Sequence, residues 1–214
     1  HDLLYESMDD STVSIAFLPG FSGVDIRLTS NDESPVAELS RRIYGLAGKY
    51  IYAEGWATLE ESVGESLREK GLTLAVAESC TGGLLSDRIT NVSGSSDYFL
   101  GGVVCYSNEA KMNLVSVKGE TLDTFGAVSE EIAAEMASGV REKFGADIGV
   151  SITGISGPDG GTEEKPVGLT CFALDDGVNP FSRSVIFYHD RRFNKELSAQ
   201  TALNSIRLRI TAQI

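Results

Sequence analysis

A serine, a cysteine and a threonine stand in a row at Ser79-Cys80-Thr81, with Glu78 before them and Gly82-Gly83 after. All three side chains can act as nucleophiles. The two glycines permit a tight turn in which backbone N–H groups gather at the start of a helix. Such a turn suits a phosphate or a developing oxyanion. The same letters also describe an ordinary helix N-cap, where Ser and Thr satisfy backbone donors. Spacing alone leaves both readings open.

A second group, Cys105-Tyr106-Ser107-Asn108-Glu109-Ala110-Lys111, places a tyrosine at a strand end and a lysine on the helix that follows. A lysine desolvated in a cleft loses proton affinity and can serve as base to a serine, a variant of the triad logic. The plain alternative is a surface lysine on a short helix. A third stretch, Thr153-Gly154-Ile155-Ser156-Gly157-Pro158-Asp159-Gly160-Gly161, carries more glycine than core structure needs. It reads as a loop that lets a ligand approach the backbone or as a surface connection continuing through Lys165. Histidine offers little, since only His1 and His189 occur. A Cys80–His189 pair is conceivable from residue types alone. Glu78 and Asp159 are the acidic candidates, and no metal-ligand spacing stands out. Arg191 or Arg192 could fork onto a phosphate, or simply be solvated at a helix start.

These residues need elements to hold them. The nearly unbroken apolar run Leu72–Ala77 predicts a strand covered on both faces, and Gly82-Gly83 opens a helix behind it. Phe99–Tyr106 is strand-like and Asn108–Leu114 a short helix. Ser129-Glu130-Glu131 starts an amphipathic helix with Ile132, Met136, Val140 and Phe144 inward. Strands follow at Ile148–Ile152, Val167–Leu174 and Ser184–Tyr188, and then a final helix carries Leu197, Leu203, Ile206 and Ile210. Alternating strands and helices predict an α/β layered domain around a buried mixed sheet.

Ahead of it, Thr12–Leu18 and Val24–Leu28 flank a turn at Gly20-Phe21-Ser22-Gly23 and predict a hairpin. A helix with Val36, Leu39, Ile43 and Leu46 on one face stops at Gly48. Tyr50-Ile51-Tyr52-Ala53 reads as a third strand. A further helix, with a capping box at Thr58 and Glu61, ends near Lys70-Gly71. The domain boundary is placed at residue 70/71.

Composition sets the outer limits. The 214 residues are 42% hydrophobic, enough for a sizeable core. The formal charge of −13 argues against wrapping nucleic acid, which needs clustered Lys and Arg, but one positive pocket for a small anion is compatible with it. No membrane span or secretion signal is evident. The cysteines, Cys80, Cys105 and Cys171, form neither a disulfide framework nor a zinc set, and a reducing cytoplasm is the expected setting.

In order along the chain come Ala77-Glu78-Ser79-Cys80-Thr81-Gly82-Gly83, Tyr106-Ser107-Asn108-Glu109-Ala110-Lys111, Gly126-Ala127-Val128-Ser129, the Thr153–Gly161 loop and Lys165-Pro166-Val167-Gly168. Together they strongly resemble the CinA C-terminal family, over roughly Leu72 to Ile210. The resemblance implies an amidohydrolase of NAD metabolism that converts nicotinamide mononucleotide to nicotinic acid mononucleotide and ammonia, with neither metal nor organic cofactor. It implies Ser79 as nucleophile, Lys111 as its base and Tyr106 shaping the site. It places Thr81, Gly82, Gly83, Thr153 and Gly157 around the substrate, with oxyanion donors near Thr81-Gly82-Gly83. Arg191 is placed near the phosphate, although His189-Asp190-Arg191 departs from the family's usual Gly-Asp-Arg and Arg192 leaves the register ambiguous.

The resemblance also implies a homodimer. It reads residues 1–10 as a linker remnant, 11–70 as a small α+β KH-like module, and 71–214 as the amidohydrolase domain. A molybdopterin-biosynthesis-like domain that precedes these in full-length relatives is missing, so the chain reads as a fragment. Gly45-Leu46-Ala47-Gly48 spells a KH loop but lies between a helix and a strand, so RNA binding does not follow. The alternative function is a non-catalytic nucleotide-binding or regulatory module. A third is an amidase for another small amide.

Overall fold

The computed structural model describes residues 12–20 and 23–212. The linker remnant expected at 1–10 and the hairpin tip at Phe21-Ser22 lie outside them. The chain divides into two units, residues 1–58 and 59–214.

In the first unit, β1 (Ser14–Gly20) and β2 (Gly23–Thr29) pair antiparallel, Ser14 opposite Thr29 and Gly20 opposite Gly23. Helix α1 (Glu33–Ala47) buries Leu39 and Ile43 against Val13, Ile15, Ile26 and Leu28. The third strand expected at Tyr50–Ala53 does not form. Gly48–Tyr50 continues α1 as a 3-10 turn, and Ile51 packs into the Leu39–Ile43 cluster. Strand propensity at Tyr50-Ile51-Tyr52 yields to that burial.

The second unit begins with α2 (Leu59–Lys70), which packs on the last helix and so belongs to the C-terminal unit. The boundary therefore falls at 58/59, not at 70/71. The capping signals and Gly71 delimit this helix correctly, but its apolar face, Leu59, Val63 and Leu67, is buried in the larger core.

That core is built on β3 (Leu74–Glu78), β4 (Phe99–Val104), β5 (Ile148–Gly154), β6 (Leu169–Asp175) and β7 (Phe181–Ile186), in the order β4-β3-β5-β6-β7. Pairs β3–β4 and β3–β5 are parallel, and β5–β6 and β6–β7 antiparallel. The sheet is mixed, as expected. Every residue of β3 is buried, which explains its continuous apolar run. On one face Ala75 and Ala77 meet α4 (Asn108–Val115), α5 (Gly119–Phe125) and α6 (Glu130–Phe144) through Val115, Leu122, Ile132 and Met136. The other face is covered by α7 (Arg191–Ile210), which packs with α2 and with α3 (Leu84–Thr90). Helix α5 is absent from the sequence expectation, since only Leu122 of its seven residues is buried and no periodic stripe marks it.

The chain leaves β3 for β4 on one side and later returns to β5 on the other. Strand order thus reverses at β3, and in open α/β sheets ligands bind beyond the carboxyl ends of strands at such a point. Ser79 is the first residue past that end.

Lys111 is positioned by the contact of α4 with α6. A side chain at Gly139 would overlap the Val115 carbonyl, so glycine sets how closely these helices approach. Gly139→Ala is expected to cost ~3 kcal/mol of stability through backbone displacement. An unfolding midpoint in urea equal to that of the wild type would show that the contact relaxes freely.

Candidate active site

Ser79 sits in the turn between β3 and α3, 7% exposed, its N–H donating to Ile152 O of the adjacent strand at 2.9 Å. Lys111 arrives from α4, whose N-cap Ser107 accepts from Ala110 N–H. Its Nζ lies 3.1 Å from Ser79 Oγ, and the side chain is 1% exposed. Nζ also donates to Cys105 O at 3.0 Å and reaches Tyr106 O at 3.4 Å. Burial lowers the Lys111 pKa, only partly opposed by the neighbouring thiols of Cys105 and Cys80. A neutral amine has two hydrogens and one lone pair. With the hydrogens on the two carbonyls, the lone pair faces the Ser79 hydroxyl, which is the orientation a base requires.

Glu78 has a structural task. Its buried carboxylate accepts from Gly83 N–H at 3.1 Å, Leu85 N–H at 3.0 Å, Ser86 N–H at 2.9 Å and Ser86 Oγ at 2.7 Å. It therefore caps the first turn of α3 from the strand side. This corrects the expected oxyanion donors. Gly83 N–H is held by Glu78, and Gly82 N–H donates to Ser79 O at 3.2 Å. The N–H groups of Cys80 and Thr81 donate to no backbone carbonyl among the described residues, and they adjoin Ser79 directly. Thr81 Oγ1 is also buried without a partner among them. Glu78→Ala is expected to strand the N–H donors of Gly83, Leu85 and Ser86 and lower stability by ~3 kcal/mol, with activity falling as the turn deforms. Thermal unfolding and turnover measured together check this, and an intact midpoint would mean the turn holds without its cap.

The other expected residues gather at the same sheet end in varied roles. Thr153 closes β5 beside Ser79, but its hydroxyl donates to Ala127 O at 2.7 Å and ties that loop down. Tyr106 is 61% exposed, and its phenol oxygen accepts from Arg191 Nη2 at 3.2 Å. Arg191 Nη1 donates to Gly157 O at 2.7 Å. The guanidinium thus joins the Tyr106 loop to the glycine-rich loop, and Arg191 rather than Arg192 faces the cleft. Gly157 has φ 86°, and a Cβ there would press on Val167.

The Cys80–His189 pair that residue types alone would allow is not formed. Burial pushes the Cys80 thiol up to about 11, while the exposed His189 ring lies 4.7 Å from Phe193. Asp159 is exposed. Among the described residues no three His, Cys, Asp or Glu side chains converge as a metal site, and no helix is long and apolar enough to cross a membrane.

Two contributors have roles that the sequence alone does not show. Asn194, fully buried, donates to Ser156 O at 3.1 Å and His189 O at 2.9 Å, fastening α7 to the glycine-rich loop. Lys165 donates to Phe125 O and Val128 O and pins the loop before α6. A polar residue on the buried stripe of an amphipathic helix was the available signal for Asn194.

The family model described as the CinA C-terminal domain matches residues 56–210. This chain belongs to the CinA family. A CinA-like protein of Chloroherpeton thalassium is 47% identical over 209 residues, covering 93% of this chain and 49% of that protein. A CinA-like protein of Salinibacter ruber is 45% identical over 200 residues, covering 91% of this chain and 48% of its own length. The chain thus spans about half the length of these CinA relatives. Among solved structures, a competence/damage-inducible protein from Agrobacterium tumefaciens superposes with TM-score 0.69 at 36% identity, over 72% of this chain and 93% of that one. A CinA superfamily protein from Klebsiella pneumoniae gives 0.70 at 32% identity, over 72% and 96%. The CinA C-terminal match begins at residue 56, close to the 58/59 division of the chain.

Proposed function

We propose that the second unit is an amidohydrolase that removes ammonia from the carboxamide of nicotinamide mononucleotide. The observation that carries the reading is the buried Lys111 Nζ at 3.1 Å from Ser79 Oγ, with the Cys105 and Tyr106 carbonyl oxygens also in its reach. Lys111 takes the hydroxyl proton as Ser79 Oγ bonds to the amide carbon. The oxyanion is held by the N–H groups of Cys80 and Thr81. The C–N bond then breaks, and the Lys111 ammonium returns the proton to the departing nitrogen, which leaves as ammonia. Water, deprotonated by the same lysine, cleaves the acyl ester and releases nicotinic acid mononucleotide. Glu78, Thr153 and Arg191 hold the loops that form this arrangement.

The test is ammonia release from nicotinamide mononucleotide by the purified chain, beside a panel of other small amides. Selective release from the mononucleotide is the expected result. Release from another amide alone would move the substrate assignment. Silence across the panel, from a folded protein, would favour a binding or regulatory module.

A further inference from the structure

Arg191 and Lys195 lie four residues apart on α7, a spacing that puts both on one face of the helix. Their situations differ. The Arg191 guanidinium is engaged with Gly157 O and Tyr106 Oη. The Lys195 ammonium makes no hydrogen bond or ion pair with any described residue, in a chain carrying 31 acidic side chains and a net charge of −13. It lies over the nucleophile turn, 3.8 Å from the point a Cβ on Gly82 would occupy. Gly82 is exposed, has φ 66°, and donates its N–H to Ser79 O. The absence of a side chain there leaves the ammonium facing the rim of the turn that carries Ser79. Of the acids near it on the helix, the N-cap Asp190 is turned back to accept from Phe193 N–H at 2.9 Å, and the adjacent Glu196 forms no ion pair with Lys195.

An unneutralised cation beside a reactive turn attracts anions. A lysine serves a phosphate as a point charge, without the fixed fork that Arg191 has already committed to two neighbours. We propose that Lys195 is the residue that recognises the phosphomonoester of the substrate, making the site selective for a mononucleotide over its nucleoside. Arg191 then acts as a positioning residue that braces the Tyr106 and Gly157 loops. This assignment rests on the deamidase reading for the identity of the substrate, but not for the presence of an anion subsite.

The test compares ammonia release from nicotinamide mononucleotide and from nicotinamide riboside by the wild type, Lys195→Ala and Lys195→Arg. The expected result for Lys195→Ala is a ~10- to 100-fold fall in the ratio of kcat/KM for mononucleotide over riboside, carried by KM. Lys195→Arg should recover most of it, since the charge is kept. A ratio that does not move, or equal losses on both substrates, would overturn the proposal. Binding of ribose 5-phosphate, followed by NMR shift perturbation, separates the two ideas. Wild-type binding lost in Lys195→Ala supports the subsite even where no ammonia is released, a result that would end the deamidase reading alone. Binding that is absent, or unaffected by the substitution, overturns the subsite whatever the activity.

Discussion

Ser79→Ala is expected to reduce ammonia release from nicotinamide mononucleotide by at least ~10³-fold while the protein stays folded. The hydroxyl forms the covalent bond in the proposed route, so nothing the substrate does in binding replaces it. Its neighbours are poor substitutes. The Cys80 thiol is buried and pushed up to about 11, so it is protonated at neutral pH, and its sulfur is packed toward Gly154. Thr81 is 1% exposed. Loss of the serine hydroxyl removes one hydrogen-bond contact with Lys111, a change of ~1 kcal/mol. Unfolding should therefore barely shift while turnover collapses. A variant keeping more than a few per cent of wild-type turnover would mean that water, activated by Lys111, attacks the amide without a covalent intermediate. The wild type should also show a burst of ammonia ahead of acid release whenever ester hydrolysis is the slower step.

Much of this site can be read in the chain because its parts lie at element ends. Ser79 follows a short apolar run that only a buried strand explains, and Ser107 marks the start of the helix bearing Lys111. Their meeting is not written locally. It joins residues 32 apart and depends on β3 and β4 pairing in parallel, with Glu78 opposite Val104. The cap supplied by Glu78 was hidden for a related reason. A carboxylate at the end of a strand reaches forward to N–H groups five to eight residues later, a pattern that helix-capping rules do not cover. The Gly83 donor is taken by that carboxylate and the Gly82 donor by the Ser79 carbonyl, neither of which local sequence reveals.

Elsewhere, tertiary packing overrode local preference. Aromatic and β-branched residues at Tyr50–Ala53 favour a strand, yet Ile51 is worth more against α1. The last strand runs Phe181–Ile186, starting three residues and ending two residues earlier than its apolar letters suggest, because Phe181 pairs with Leu174 while Tyr188 is 83% exposed. Lys195 lies on a helix that the sequence predicts, but no feature of the sequence shows which loop its ammonium overlooks.

Lys111 supports the sharpest separation of roles, because Lys111→Arg and Lys111→Met ask different questions. Arginine keeps a positive charge but cannot give up its proton, so it cannot serve as a base, and turnover should fall ~10³-fold at every pH. Were the lysine needed only as a cation beside Ser79, Lys111→Arg would keep much of the activity. In the wild type kcat/KM should rise with pH along a limb of unit slope, as the ammonium deprotonates at a pKa below the ordinary 10.5.

The same depressed pKa governs stability. Between the folded pKa and 10.5 the unfolded chain binds more protons at this site, so stability rises with pH there. Below the folded pKa the full cost of burying the charge is present. Lys111→Met removes that cost and should unfold at a higher temperature than the wild type at neutral pH, though it is catalytically silent. The advantage should shrink as pH climbs toward 10.5. Groups remote from Lys111 that titrate in the same range act equally in both proteins, so the difference between the two curves isolates the lysine together with the Cys80 and Cys105 thiols coupled to it. A methionine variant no more stable than the wild type, with the same pH dependence, would show that the lysine bears no charge-burial cost. The basis for its acting as a neutral base beside Ser79 would then be gone.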